Sequence, residues 1–178
     1  MMNKLIKVLP LPKIPQHSGD KEQWGNVFNI LGTELPSDYT KFIESYGTIG
    51  IDNFLWVLSP FVENENLNLI QKGKVIRDSY QVSKNNYPEY FTHNIYPSVG
   101  GLLPWGLTDN GDELYWLTEG KPDEWKIVVY ETRSSEYHIY PLSMVEFLYQ
   151  TITKELVWEA FPDEFPSDEV SVISVNVE

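Results

Sequence analysis

The chain contains no cysteine and only three histidines among its 178 residues. The lack of cysteine excludes disulfide bonds, thiolate zinc sites and a cysteine nucleophile. It also fits a reducing compartment, so we expect the protein to act in the cytoplasm. His17, His93 and His138 lie far apart in unrelated sequence contexts. They predict neither a metal site nor a catalytic triad, and we expect no cofactor.

Long hydrophobic runs are also missing from this sequence. No stretch approaches the roughly 18 consecutive apolar residues that a membrane-spanning helix needs. The N-terminus begins like a signal peptide, but Lys7 and Pro10 interrupt its apolar part. We therefore predict no membrane partner.

Basic side chains are scarce: 13 stand against 26 acidic ones, which gives a formal net charge of −13. Direct nucleic-acid binding is not expected, because Lys and Arg must neutralise the phosphates. An acidic surface is suited to a basic partner protein, since long-range attraction raises the association rate. Solubility alone is the alternative explanation for the charge.

Aromatic side chains are plentiful, at 14% of the chain. Four of the tryptophans have a spacing that is typical of core residues: Trp24, Trp105, Trp116 and Trp125. Trp56 and Trp158 are near predicted sheet edges, so they are candidates for exposed contacts. With the acidic residues of two polar turns, the candidate partner-binding set is Asp109, Asp112, Glu113, Asp123, Glu124 and Trp56.

Known catalytic motifs are not found. The sequence has no Gly-x-Ser-x-Gly elbow, and Gly100, Gly101 and Gly106 are not followed by the helix start of a phosphate loop. The acidic turn at 109–113 fails as an EF-hand, because the calcium-ligand positions would hold glycine and threonine. Its paired carboxylates leave acid-base hydrolysis open as an alternative, although turns collect Asp and Asn for backbone reasons alone.

Helical periodicity dominates the first half of the chain. Residues 1–17 carry three prolines and predict an extended arm. Asp20 and Gln23 predict a capping box for a helix that Gly32 ends. A second helix should follow Pro36 and end at Gly47. A weaker third helix is predicted over 66–80, and 82–98 is expected to be a long loop.

In the second half of the chain, the sequence pattern is typical of β-strands separated by turns. Strands are predicted over 102–107, 113–118, 126–131 and 136–140, joined by connections so short that the strands must be antiparallel. Asn110-Gly111 predicts a hairpin turn with positive φ at both central residues. A last helix should start with Ser143 as its N-cap. In the tail, alternation of Val170, Val172, Val175 and Val177 leaves both an edge strand and disorder open.

These elements predict an α+β fold: an antiparallel β-sheet meander with amphipathic helices at the N- and C-terminal ends packed on it. We expect one domain over residues 1–178. Its core would cover about 18–156, between a proline-rich arm at 1–17 and an acidic tail at 157–178.

The order and spacing of several motifs resemble the SUKH superfamily, the Smi/Knr-type immunity proteins. The resemblance covers about residues 24–156. The matching parts are Leu35-Pro36-x-Asp38-Tyr39-x-x-Phe42, Tyr46-Gly47, Gly101-Leu-Leu-Pro-Trp-Gly106, Asn110-Gly111-Asp112, Trp116, the strand from Trp125 to Tyr130, and Phe147-Leu148.

The resemblance implies a non-enzymatic α+β protein that binds and neutralises a cognate bacterial toxin, and the acidic charge suggests a basic nuclease as that toxin. It implies that the matching positions are mostly scaffold. Two alternatives stay open at this point: an intracellular regulatory or scaffolding module that binds another protein, and a carbohydrate or nucleotide hydrolase that uses Asp109, Asp112 or Glu113.

Overall fold

The structure, a computed structural model, describes residues 1–158 and 161–175. Within these residues the chain forms five α-helices, a short 3-10 turn at Pro122–Glu124 and seven strands. The helices are α1 (Met2–Val8), α2 (Lys21–Leu31), α3 (Ser37–Tyr46), α4 (Leu69–Asn86) and α5 (Met144–Ile152). The strands are β1 (Ile49–Ile51), β2 (Leu55–Val57), β3 (Leu102–Thr108), β4 (Glu113–Leu117), β5 (Lys126–Glu131), β6 (Glu136–Tyr140) and β7 (Val172–Ser174).

The seven strands form one antiparallel sheet in the order β6-β5-β4-β3-β2-β1-β7. Strands β1 to β6 are therefore a meander in chain order, and β7 returns to pair with the outer edge of β1. The α+β class and the antiparallel meander predicted from the sequence are confirmed.

The helix ends follow the local signals in the sequence. The side chain of Asp20 accepts a hydrogen bond from the backbone of Gln23, and the side chain of Gln23 accepts one from the backbone of Asp20, which completes the predicted capping box. Gly32 ends α2 with a left-handed φ of 77°. Ser143 accepts a hydrogen bond from the backbone N–H of Glu146 and so caps α5, as predicted.

One face of the sheet carries α3 and α5 and holds the main core. Trp105 and Trp116 are almost fully buried there, and Trp105 packs edge-on against Phe147 of α5. Asp38 connects the two helices, because its carboxylate accepts hydrogen bonds from the backbone N–H of Tyr39 and of Val145, both within 2.9 Å. This carboxylate thus satisfies an otherwise free N–H in the first turn of α5.

A β-bulge in β3 positions the central tryptophan. Pro104 pairs with Tyr115 and Gly106 pairs with Leu114, so Trp105 is the extra residue between them. The bulge directs Trp105 into the main core. A Cβ on Gly106 would lie 3.0 Å from the backbone oxygen of Trp56, which explains a small residue at this position.

The opposite face of the sheet is covered in part by α4. Ile76 and Tyr80 pack there on residues of β3 to β5, and Tyr115 and Val128 are fully buried beneath them. The helix runs to Asn86, beyond the predicted end at residue 80. The first five residues of the predicted 82–98 loop are therefore helical, so that prediction was wrong for them.

The N-terminal segment is not an extended arm, so that prediction was wrong. Met2–Val8 form α1, and Leu5 and Leu9 are fully buried in the main core. The hydroxyl of Tyr46 donates a hydrogen bond of 2.8 Å to the carbonyl oxygen of Leu9. Residues before the expected core boundary therefore belong to the packed structure.

The C-terminal segment includes an edge strand, one of the two outcomes that the sequence left open. Val172 pairs with Ile51, and the carboxylate of Asp52 accepts hydrogen bonds from the backbone N–H of Ser167 and of Ser171. Trp158 is 8% exposed and packs on Tyr140, so its prediction as an exposed contact was wrong. Val177, part of the predicted alternation, lies outside the described residues.

No helix within the described residues combines the length and the apolar character that a membrane crossing requires.

Candidate functional site

One row of directly paired residues crosses the sheet on the side that carries α4. From β7 to β6 the row consists of Ile173, Gly50, Trp56, Leu107, Glu113, Tyr130 and Tyr137. Residues that face each other across antiparallel strands share one side of the sheet. Helix α4 covers the Tyr130 part, where Ile76 and Tyr80 pack. Trp56, Leu107 and Glu113 remain half-buried, and we call these three together with Asp109 the Trp56 surface.

The indole of Trp56 is held in place from two directions. Its Nε1–H donates a hydrogen bond of 2.9 Å to Oδ1 of Asp109 at the tip of the β3–β4 turn. Its ring lies over Gly50, where an added Cβ would come within 2.6 Å of the indole carbons. The sequence of β1 therefore leaves the space that the ring occupies. A fixed, half-exposed indole beside a carboxylate attracts a cation, because the ring face is electron-rich.

Asp112 is buried, which does not suit the contact with a partner that the sequence predicted for it. It is 1% exposed, and its carboxylate accepts hydrogen bonds from the hydroxyl of Thr108 at 2.9 Å and from the backbone N–H of Thr132 at 3.4 Å. Asp112 therefore stabilises the turn and offers no surface to a partner. Its place among the candidate contact residues is not supported.

The turn itself has a geometry other than the predicted one. The N–H of Gly111 donates to the carbonyl of Thr108, and the N–H of Thr108 donates to the carbonyl of Asp112. Only Gly111 of the Asn110-Gly111 pair has a positive φ, at 88°. This is a three-residue loop with glycine in the left-handed position. The prediction of positive φ at both residues was wrong.

Glu113 lies at the boundary between the Trp56 surface and a cluster of buried tyrosines. Burial raises the pKa of Glu113, while the hydrogen bond from the hydroxyl of Tyr115 and the charge of Lys72 oppose the shift. The hydroxyls of Tyr80 and Tyr137 form a hydrogen bond of 2.7 Å nearby in this cluster. Burial also raises the pKa of Tyr115 and Tyr80. A partner that brings a cation to Glu113 would favour its ionised form.

Asp112 and Glu113 do not form a carboxylate pair of the kind that hydrolysis uses. The carboxylate of Glu113, the first residue of β4, accepts its hydrogen bond from Tyr115, a different partner from those of Asp112. The carboxylate of Asp112 is bonded to Thr108, and that of Asp109 is bonded to Trp56. The geometry therefore gives no support to the hydrolase alternative.

Asp123 and Glu124 lie at the other end of the sheet, in the connection between β4 and β5. Asp123 accepts a hydrogen bond of 2.6 Å from the backbone N–H of Ser37 at the start of α3, and Glu124 accepts one from the backbone N–H of Lys121. Both side chains are exposed. The five residues of β4 separate them from the β3–β4 turn by about 17 Å. The six candidate residues therefore do not form one patch.

The sequence alone missed Leu107 and Gly50 as parts of the row that includes Trp56. Their signal was weak, because it depends on which residues pair across β1, β2 and β3. The isolated glycine between Ile49 and Ile51 was the only hint of a close approach at this place.

These features define an acidic α+β protein with a half-exposed indole and carboxylates on an uncovered part of its sheet, a surface suited to contact with another protein. The SUKH_6 family model, described as SMI1-KNR4 cell-wall, matches residues 21–148. Since this match covers more than half of the chain, the protein belongs to the SUKH_6 family of the SUKH superfamily. A search of curated proteins found no match to the chain.

The matched range includes Trp56, Asp109 and Glu113, and it ends within α5. Several of the motif residues inside it are scaffold: Tyr39, Phe42, Trp105 and Trp116 are buried, and Asp38 joins α3 to α5. Helix α1 and strand β7 lie outside the matched range. The Trp56 surface therefore lies within the residues that the family model matches, whereas both α1 and β7 lie outside them.

Proposed function

We propose that this protein is a non-enzymatic immunity protein that acts in the cytoplasm, binding a cognate bacterial toxin and neutralising it. Membership of the SUKH superfamily is consistent with this role. The observation that carries the proposal is the Trp56 surface, where a fixed indole and the carboxylate of Asp109 lie side by side. We place the toxin contact there and not at Asp123 and Glu124.

The chemistry of the Trp56 surface favours a cationic side chain of the partner. An arginine would stack on the exposed face of the indole while its guanidinium reaches a carboxylate oxygen of Asp109. Oδ1 of Asp109 accepts the indole N–H, and within the described residues Oδ2 accepts no hydrogen bond, so this second oxygen can bind such a partner. A tryptophan at the centre of an interface typically contributes at least about 2 kcal/mol to binding.

A nuclease toxin would fit this surface because its own substrate site must be basic. Lys and Arg that hold phosphates in the substrate complex would hold Asp109 and Glu113 in the immunity complex. Binding would then cover the substrate path without any chemistry by the immunity protein. The net charge of −13 adds long-range attraction, which speeds the encounter.

The test uses a toxin domain encoded beside the gene, purified with the intact chain. Association and dissociation rates are measured at low and at physiological salt for wild type, Trp56→Ala and Asp109→Lys. Glu124→Lys is the matched control, since it makes the same charge reversal at an exposed site on the other end of the sheet. Denaturation curves for each variant separate loss of binding from loss of folding.

We expect Trp56→Ala to weaken binding about 30-fold or more, mainly through faster dissociation. Asp109→Lys should slow association, and the effect should shrink as salt rises. Glu124→Lys should bind nearly as wild type. A loss of affinity only in Glu124→Lys would move the interface to the opposite end. A strong native partner that is not a toxin would favour the regulatory or scaffolding alternative.

A further inference from the structure

Three side chains of metal-ligand type meet on the outer hairpin formed by β5 and β6. Glu131 and Glu136 face each other directly across the two strands, and His138 follows two residues later on the same side. Nε2 of His138 lies 3.6 Å from Oε2 of Glu131 and 4.0 Å from Oε2 of Glu136. One ligand atom from each of the three residues falls within 4.8 Å of the others.

The imidazole side chain is 35% exposed, but the nitrogen that faces the two carboxylates is itself buried. Nε2 of His138 has almost no solvent contact and no hydrogen-bond partner within the described part of the chain. Trp158 packs edge-on against the ring at 5.3 Å between centroids, which restricts its rotation. A buried polar atom without a partner is costly and calls for an explanation. A cation bound between Nε2 and the two carboxylates would give this nitrogen a partner.

The two glutamates give a second reason to expect a cation at this place. Like charges directly opposite each other on antiparallel strands destabilise the pair. Among residues 1–158 and 161–175, neither Glu131 nor Glu136 forms an ion pair with a lysine or an arginine. A divalent cation between the strands would compensate both charges and give Nε2 its partner.

We propose that Glu131, Glu136 and His138 bind a Zn²⁺ ion. Bonds of about 2.0–2.1 Å in tetrahedral geometry place ligand atoms about 3.4 Å apart. The observed distances of 3.6 and 4.0 Å need a shift of less than about 1 Å, which flexible glutamate side chains can make. Nitrogen with carboxylate oxygen suits zinc, whereas calcium requires six to eight oxygens. Glu136 is 67% exposed, so the fourth position opens to water.

This site is independent of the proposed toxin contact, because it lies on the edge strand and on the other side of the sheet. The experiment titrates the metal-free full-length chain with ZnCl₂ by calorimetry, and with Co²⁺ as a spectroscopic substitute for zinc. The variants are His138→Gln and Glu136→Gln, and His93→Gln is the matched histidine control. Glu136→Gln serves as the second variant because its exposed side chain is not needed for folding.

We expect one Zn²⁺ per chain and Co²⁺ absorption typical of a tetrahedral site. His138→Gln and Glu136→Gln should each weaken Zn²⁺ binding at least about tenfold, since even residues that only orient ligands have effects of that size. His93→Gln should bind as wild type. The absence of Zn²⁺ binding below millimolar concentration would overturn the proposal, and so would equal affinity in both folded site variants.

Discussion

Replacing Asp112 by alanine should lower the stability of the protein much more than the same change at Asp109 in the same turn. Asp112 accepts two hydrogen bonds, and the shorter one, from the hydroxyl of Thr108, spans 2.9 Å. A hydrogen bond to a charged group contributes about 1.5–3 kcal/mol, and the longer bond contributes less. We therefore expect Asp112→Ala to cost about 2–3 kcal/mol. The Asp109 carboxylate is exposed and its hydrogen bond from the Trp56 indole is open to water, so its loss should cost about 1 kcal/mol at most.

Urea denaturation followed by tryptophan fluorescence measures both variants in one series. For a protein of this size, the expected cost of Asp112→Ala corresponds to a fall in Tm of roughly 4–12 °C. The slope of the unfolding free energy against urea should not change, because the exposed surface is nearly the same. Equal midpoints for the two variants would refute the reasoning and would mean that the Asp112 carboxylate is solvated after all.

Three further changes test other parts of the structure. Burial raises the pKa of Glu113. The contribution of this group to stability is therefore present below its unfolded pKa and is lost as pH rises through its folded pKa. Glu113→Gln should make the unfolding free energy depend less on pH, and an unchanged pH profile would contradict this. Leu5→Ala should lower the free energy of unfolding by about 2–5 kcal/mol, and an unchanged Tm would mean that α1 is detached in solution. Gly111→Val should cost about 1–3 kcal/mol at its φ of 88°, and an unaltered Tm would exclude that backbone geometry.

The elements that could be predicted are those specified by neighbouring residues. Alternation and short turns located β3 to β6 within one residue at each end, and the capping groups Asp20 and Ser143 located the starts of α2 and α5. Each of these signals acts over at most four residues. The class of the fold followed, since antiparallel strands joined by short turns allow few other arrangements.

Helix α1 could not be predicted, because its stability comes from distant contacts. It has seven residues and no side-chain cap, so it would not be stable alone. Burial of Leu5 and Leu9 in the main core and the bond from Tyr46 hold it in place. The local signal that the sequence offered at this end was the prolines that follow α1, and they indicated an extended segment.

The turn types were also beyond local reasoning. The pair of positive φ angles predicted at Asn110-Gly111 is found instead at Asp52 and Asn53, with values of 50° and 53°, between β1 and β2. The carboxylate of Asp52 is occupied by the backbone of Ser167 and Ser171, more than 100 residues later. That contact stabilises a conformation that the neighbouring residues alone do not specify.

The candidate site was predicted only residue by residue. Trp56 and Asp109 were each singled out, but their hydrogen bond depends on the pairing of β2 with β3, two strands separated by the whole of α4. Asp112 was misjudged because its burial depends on Thr132, which is 20 residues away. Asp123 was grouped with the others by charge, although the length of β4 separates them.

The pairing of β7 with β1 has a consequence for the order in which the protein assembles during synthesis. At about 5–20 residues per second, a ribosome needs about 2–7 s to proceed from the end of β6 to the end of β7. During that interval β1 is the open edge of a sheet whose other strands are already made. An uncovered edge is a template for pairing with another chain. Nascent chains are therefore open to association at Ile49–Ile51 during that interval, and the pairing of β7 with β1 removes that risk.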